Sequence, residues 1–579
     1  MITWERTAIF FKRIVESTIF FYANNRIKNK VIEVLLMAKQ QVSQRYIFKI
    51  HSSRLKKAKW NLTLPLAEAR KNEEVISLND SQMLRWIDEL NGVVDAETRT
   101  RELRRQIRAL RHQPSSVANR REIRRLYSEL DEIQFKPDYI HVVMDRDKDM
   151  FRACKGFKVN GIKYVRLLGT PGGIKTSTIV FVSERLSETL RARIDNGRDK
   201  CVPQVPAKLE AYRALTCSGS QPVSMPHGIL VVPDCMTKFT ESVITLDDGD
   251  TDEPVMKYVD DYEVELDESD GYGLMLPSLA ERWSNELKLS YTASAMCTRC
   301  AFEKGMVFTF DFLDFADRIA GGNYIVKDAW GDEVDIRQVE LILTTSMLKL
   351  WKCYPSLCDY IENCTKNHYT FGVTKTSPRE LENERGLNYQ FIQPNFMTDK
   401  QIDELCKSTV DDINDILSDD YRKTILYLAG MGLSEKSVLN SDPTFIKALM
   451  IDKRMFDDPF VKRKIFQMIR KRIDEAKIGI LDVHGNYSMV CGDPFALCQS
   501  IFGLPVTGLL KAGEVYNKYW VDAGVSKVAC YRAPMSCANN IRIVNIASSP
   551  EMEYWYQYIK TCTLVNAWDS LAAALNGMD

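Results

Sequence analysis

Asp270-Gly271-Tyr272-Gly273, followed by Arg299 and then by Lys304-Gly305-Met306-Val307, is the stretch on which the reading of the fold turns. Glycine lacks a Cβ, so it serves where backbones must approach closely or where φ is positive. Gly271, Gly273 and Gly305 fit crossing loops of that kind, and the apolar run from Met306 to Phe312 has strand texture. Two cations, Arg299 and Lys304, fall only a few residues apart between these glycines.

Strand texture extends outward from this stretch. Tyr139-Ile140-His141-Val142-Val143-Met144, Lys163-Tyr164-Val165-Arg166-Leu167-Leu168 and Thr178-Ile179-Val180-Phe181-Val182 read as strands separated by Asn160-Gly161 and the glycines around 169–173. Ser183 is placed to cap a helix running to Ile194, and Gly228 to Val232 is a further strand. Upstream, residues 1–60 alternate apolar and basic groups. Two basic runs, Arg101 to Arg111 and Arg120 to Leu130, flank the turn His112-Gln113-Pro114-Ser115-Ser116 and predict an antiparallel helical hairpin. Such a hairpin is either a nucleic-acid contact or a solvated arm. Downstream of residue 398 the pattern becomes helical: Thr398 and Gln401 have capping-box spacing, Gly430 stands at a helix end, and helices continue to about Ala476. Ile478-Gly479-Ile480-Leu481-Asp482-Val483 then restores strand texture, and no internal repeat is visible.

The 579 residues are too many for one core and imply three or four domains. Hydrophobic residues at 45% and charged residues at 27% are globular values. Net charge is zero but unevenly spread, with a basic first 210 residues and an acidic stretch at 241–270. Fifteen scattered cysteines read as reduced thiols of an intracellular protein. Lys12, Arg13 and Glu16 interrupt the apolar N-terminal stretch, which excludes an uninterrupted membrane span and a signal peptide. The loop Gly169-Thr170-Pro171-Gly172-Gly173-Ile174-Lys175-Thr176 is not a phosphate loop, because Ile174 separates glycine from lysine and Pro171 removes an amide donor. Cys297-Thr298-Arg299-Cys300 has zinc-ribbon spacing without a second pair, and Asp247 to Asp252 lacks the calcium-loop pattern.

The Asp270–Gly273, Arg299 and Lys304–Val307 segments together are similar to the first double-psi barrel of the cellular, RNA-silencing-type RNA-dependent RNA polymerases. Tyr531-Arg532-Ala533-Pro534 and Asn540-Ile541-Arg542-Ile543-Val544 look like the start of their second barrel, with Asn540 where the pattern has Asp. Asn388-Tyr389-Gln390-Phe391, Phe502-Gly503-Leu504, Thr507-Gly508-Leu509-Leu510-Lys511 and Asn566-Ala567-Trp568-Asp569 resemble the single-chain phage and prophage relatives. Leu575-Asn576-Gly577-Met578-Asp579 resembles the run-in to the family's Asp-x-Asp-Gly-Asp metal loop, of which Asp579 is the first aspartate.

The resemblance, which covers roughly residues 140–579, implies an α+β chain of two double-psi β-barrels. The expected order is a basic helical arm (1–137), a β-rich accessory module (138–240), the first barrel region (241–395), a helical connector (396–477) and the start of an incomplete second barrel (478–579). It implies Mg²⁺-dependent, template-directed RNA synthesis from nucleoside triphosphates in the cytoplasm of a bacterial host. Lys304 and Arg299 would supply catalytic cations, Arg532, Arg542 and Lys511 would contact nucleic acid or nucleotide, and Asp579 would ligate metal. A single carboxylate holds Mg²⁺ poorly. The expectation is therefore a chain inactive by itself and completed by a second polypeptide or a longer gene product. The alternative is a non-catalytic nucleic-acid-binding protein on a decayed polymerase scaffold.

Overall fold

The computed structural model describes residues 44–93, 96–170, 172, 176–247, 255–417, 449, 451–535, 537–566 and 568–576. Asp579, Gly430, the apolar N-terminal stretch, Pro171 and residues 173–175 of the glycine-rich loop, and most of the acidic 247–252 segment lie outside them.

The first sheet has seven strands, in spatial order Asn61–Leu62, Phe157–Val159, Ile162–Gly169, Thr178–Ser183, Phe135–Val143, Arg45–His51 and Val75–Leu78. Thr178–Ser183 is buried along its whole length. Val180 and Val182 enter one core while Ile179 and Phe181 enter another, as the two-residue period of a strand covered on both faces requires. The sheet crosses the boundary drawn at 137/138, because strands from 45–78 pair with those of 135–183. The reason is that Ile47, Phe48 and Ile50 are all buried, so the apolar–basic alternation there belongs to a strand and not to a helical arm. Ser183 precedes the helix Glu184–Asp195 as expected, but its side chain makes no capping bond.

The second sheet orders Gln221–Val223, Phe371–Thr376, Ala295–Cys300, Glu303–Thr309, Tyr272–Met275, Leu341–Thr344 and Ile229–Val232. It thus starts upstream of residue 241. The third sheet orders Met489–Cys491, Cys562–Val565, Glu514–Tyr516, Arg542–Ile546 and Lys527–Cys530. Five strands of the second sheet and all five of the third follow one plan. Numbered along the chain within each sheet, both run first, fifth, second, fourth, third, with pairings parallel, antiparallel, parallel and antiparallel. The molecule therefore contains an internal topological repeat. Superposing the registers places Gly273 opposite Val515, Lys304 opposite Ile543 and Arg299 opposite Ala529.

The two copies share one core, in which Leu230, Tyr272 and Phe308 pack with Phe495, Trp555 and Leu564. Glu268 stitches them together: its Oε1 accepts the Asp493 amide at 2.9 Å, and Tyr272 Oη donates to the Gly492 carbonyl at 3.3 Å. Burial raises the carboxyls of both Glu268 and Asp493 above the usual range.

Helices Asp399–Leu417 and Pro459–Lys477 occupy the connector. The capping box forms: Thr398 N donates to Gln401 Oε1 at 2.9 Å and Gln401 N to Thr398 Oγ1 at 3.4 Å. The strand expected at 478–483 is reduced to Asp482–His484, because Gly479 turns out of the helix with φ of 84° and Asp482 is drawn to the buried Arg472. The acidic region forms a two-stranded ribbon, Met236–Asp247 with Val255–Asp267. No helix among the described residues is long and apolar enough to cross a membrane.

Candidate active site

Strands Ala295–Cys300 and Glu303–Thr309 form a tight hairpin through Ala301 and Phe302, the latter at φ of 56°. Arg299 pairs directly with Lys304 in this ladder, so the two expected cations lie side by side on one face. Like charges in that position repel. Arg299 relieves part of this by turning back, its guanidinium donating to the Thr298 carbonyl and to Cys297 Sγ, while its Nε is buried with no partner among the described residues. The Lys304 ammonium, half-exposed, makes no hydrogen bond or ion pair among the described residues. Glu303, the residue before Lys304, points to the opposite face of the hairpin and is fully buried. Its Oε1 accepts from Thr298 Oγ1 at 2.7 Å and its Oε2 has no partner among the described residues. Burial pushes the Glu303 carboxyl up to about 7, against the opposing pull of the Thr298 hydroxyl and the Arg299 charge.

The glycines fix Lys304 in space. A Cβ on Gly305 would stand 2.3 Å from the Gly271 carbonyl oxygen and 2.7 Å from Met347 Cγ. One on Gly273 would stand 2.5 Å from the Ile342 carbonyl oxygen. The close approach carries hydrogen bonds from Met306 N to Gly271 O at 2.8 Å and from Lys304 N to Met347 O at 3.1 Å. Asp234, absent from the sequence reading, braces the segment after Leu341–Thr344 by accepting from Thr345 Oγ1 at 2.7 Å, Ser346 N at 2.9 Å and Ser346 Oγ at 2.5 Å. Glu303, too, escaped the sequence reading. The hydroxyl run Thr344-Thr345-Ser346 was the available signal for this brace, whereas nothing local marks Glu303 as buried.

In the third sheet, Arg532 and Arg542 converge on the short helix Leu571–Asn576. Arg532 donates to the Leu575 carbonyl at 3.0 Å, Arg542 to Ser570 Oγ at 3.0 Å, and Asn540 to the Ala574 carbonyl at 3.4 Å. These contacts position the helix that leads to Asp579, which itself lies outside the described residues. Asp569 caps the same helix through Leu571 N at 2.7 Å and also accepts the Gly513 amide, so its carboxylate is already engaged. Lys511 is exposed, and only its backbone is held, through Glu514 Oε2 at 3.0 Å. The structure thus brings Arg299 to Lys304 in one copy of the repeat, while in the other it sets Arg542 and Arg532 against opposite ends of the last helix. Among the described residues, no three His, Cys, Asp or Glu side chains form a metal-holding group. Cys297 and Cys300 are free thiols.

Residues 97–562 match the sequence model of the family described as RNA dependent RNA polymerase. The chain belongs to that family. It is 28% identical over 386 residues to the DNA-directed RNA polymerase YonO of Bacillus phage SPbeta, an alignment covering 64% of this chain and 43% of YonO. It is also similar to the solved structure of the RNA dependent RNA polymerase QDE-1 from Thielavia terrestris. That match has a TM-score of 0.49 and 15% identity, covering 76% of this chain and 47% of QDE-1. The chain spans less than half the length of either relative.

Proposed function

We propose that this chain is the part of a phage-type, template-directed RNA polymerase that holds nucleic acid and positions the incoming nucleoside triphosphate. Its second and third sheets are then the two double-psi barrels, and Lys304 and Arg299 are the cations facing the transferring phosphate. One observation carries this reading: two cations stand side by side on the Gly305 crossing, and the ammonium of one has no counter-charge among the described residues. Such an arrangement favours an anionic occupant. A preorganised cation is most valuable where negative charge develops in the transition state, because it need not reorganise as the reaction proceeds. Arg299 would orient the triphosphate, and Lys304 would hold charge at the phosphate under attack. Arg532 and Arg542 would act by holding the helix that presents Asp579, and Lys511 would meet the nucleic-acid backbone.

Mg²⁺ is the proposed cofactor of the completed enzyme, with Asp579 as one ligand. It would neutralise phosphate charge and lower the pKa of the attacking hydroxyl. The described residues do not by themselves fit the ion. We place the remaining carboxylates on a second polypeptide or a longer gene product, in the cytoplasm of a bacterial host. YonO carries the name of a DNA-directed enzyme and QDE-1 that of an RNA-dependent one, so the template is the first property to assay. The test is RNA synthesis with Mg²⁺ on single-stranded DNA and RNA, with and without the polypeptide encoded immediately downstream. Activity only in the mixture, lost on Asp579→Ala, supports the reading. Salt-sensitive nucleic-acid binding without synthesis in any mixture favours the decayed scaffold instead.

A further inference from the structure

The helical hairpin Ala96–Arg111 and Val117–Gln134 has its charge sorted along its length. The half nearest the sheet, residues 96–103 and 125–134, holds three arginines and five carboxylates. The half around the turn, residues 104–124, holds seven arginines and one carboxylate. Carboxylates of the base half are engaged: Arg99 bridges Glu102 and Glu129, and Asp131 takes Arg70 of the helix Leu66–Lys71 in two bonds of 2.8 Å. Arg125 at the junction takes the one carboxylate of the tip, Glu122, at 2.8 Å. At the tip, by contrast, Arg105, Arg120, Arg121 and Arg124 are exposed, and their side chains make no hydrogen bond or ion pair among the described residues. A solvated helical face would intersperse the two signs along its length.

The hairpin is built to hold those arginines away from the body. A small apolar seam of Leu103, Ile107, Leu126 and Leu130 zips the two helices independently of the main cores. Ser116 caps the second helix through Asn119 N at 3.0 Å. That helix runs without a loop into the strand Phe135–Val143 inside the first sheet, so the arm is anchored as an extension of a packed strand. At 18 residues the helix reaches about 27 Å.

We infer that the arginine tip of this hairpin grips the phosphate backbone of nucleic acid at a distance from the Lys304 site, as a sequence-independent clamp. The inference rests on the polymerase reading for its choice of polyanion but not on catalysis. Its composition suits backbone contact: four exposed guanidiniums cluster at the tip of a two-helix rod, three of them within one stretch of the second helix, and phosphate contacts of this kind carry no sequence information.

The experiment measures binding of the full chain to single-stranded DNA, single-stranded RNA and duplex DNA by fluorescence anisotropy across a salt series. It compares wild type with the quadruple variant Arg105→Gln, Arg120→Gln, Arg121→Gln, Arg124→Gln, and with Arg99→Gln as the base-end control. Each lost phosphate contact lowers the slope of log K against log salt by about 0.9 for duplex DNA and about 0.7 for single strands. The quadruple variant is expected to lose about 3 to 4 units of slope, and about 10²–10³-fold in affinity near physiological salt. The control is expected to match wild type, and helicity by circular dichroism should be equal in all three. The nucleic acid whose slope falls most is the one the tip holds. An unchanged slope for every nucleic acid, in a variant with wild-type helicity, overturns the inference. So does a salt-sensitive dimer in sedimentation that the variant abolishes while its nucleic-acid binding stays normal, which would assign the tip to the acidic ribbon of a second copy. RNA synthesis failing while the slope change is present would count against the catalytic reading alone.

Discussion

Replacing Gly305 by Ala tests the crossing that holds Lys304. The added Cβ would lie 2.3 Å from a backbone oxygen and 2.7 Å from Met347, well inside contact distance. Forcing one extra carbon into a packed core costs about 1–3 kcal/mol. Pushing Gly271 O aside also weakens its bond from Met306 N, worth about 1 kcal/mol. Against this, removing a glycine from a strand interior recovers about 0.5–1 kcal/mol of backbone entropy. The net expectation is a destabilisation of about 1–3.5 kcal/mol. Urea unfolding followed by tryptophan fluorescence reads it, because Trp283 is buried in the core that also contains Val307 and Met347. Gly485, where a Cβ would meet nothing within 4 Å, is the control, and Gly485→Ala should leave the midpoint unchanged or slightly raised. Should Gly305→Ala unfold within about 0.5 kcal/mol of wild type, the close crossing is not what positions Lys304.

Three further outcomes follow from the same geometry. Glu303, with its carboxyl pushed up to about 7, favours the folded state only while protonated. Its contribution is whole below the unfolded value of about 4.3 and is lost as pH rises to about 7, a swing of roughly 4 kcal/mol. Glu303→Gln should accordingly lose less stability between pH 5 and pH 8 than wild type, as read by urea midpoints; parallel pH profiles would contradict the burial argument. Asp569→Ala removes the cap of Leu571–Asn576 and the acceptor of Gly513 N, at about 1–2 kcal/mol. Hydrogen exchange of amides 571–576 should accelerate about tenfold or more while the second sheet is unchanged. Lys304→Met should leave the unfolding midpoint within about 0.5 kcal/mol of wild type, because no partner is lost among the described residues.

Much of the local structure was legible because it rests on local chemistry. The strands Ile162–Gly169 and Thr178–Ser183, the basic helical hairpin, the Thr398/Gln401 box and the close-approach glycines all carry their cause within a few residues. The strands at 45–51 and 75–78 were hidden because they pair with each other across about 30 residues, and the first of them also pairs with 135–143, about 90 residues on. The ribbon Met236–Asp247 with Val255–Asp267 was hidden because its acidic composition reads as a solvated stretch and its apolar residues enter no core; Ile244, Leu246, Met256 and Tyr258 are all exposed. The internal repeat is invisible in the letters because topology, and not side-chain identity, is what the two sheets share: Lys304 matches Ile543, and Arg299 matches Ala529. Arg532 and Arg542 were expected at the nucleic acid. Their observed partners are a backbone carbonyl and a serine hydroxyl of the last helix, contacts that a sequence motif does not encode.

The most direct test of the central claim is template-dependent incorporation of labelled nucleotide by this chain combined with the polypeptide encoded downstream, comparing wild type with Lys304→Met and Arg299→Lys. The account predicts a loss of about 10²–10³-fold in kcat for Lys304→Met, with template binding retained, and a smaller loss expressed mainly in KM for Arg299→Lys. Wild-type incorporation by Lys304→Met would contradict it.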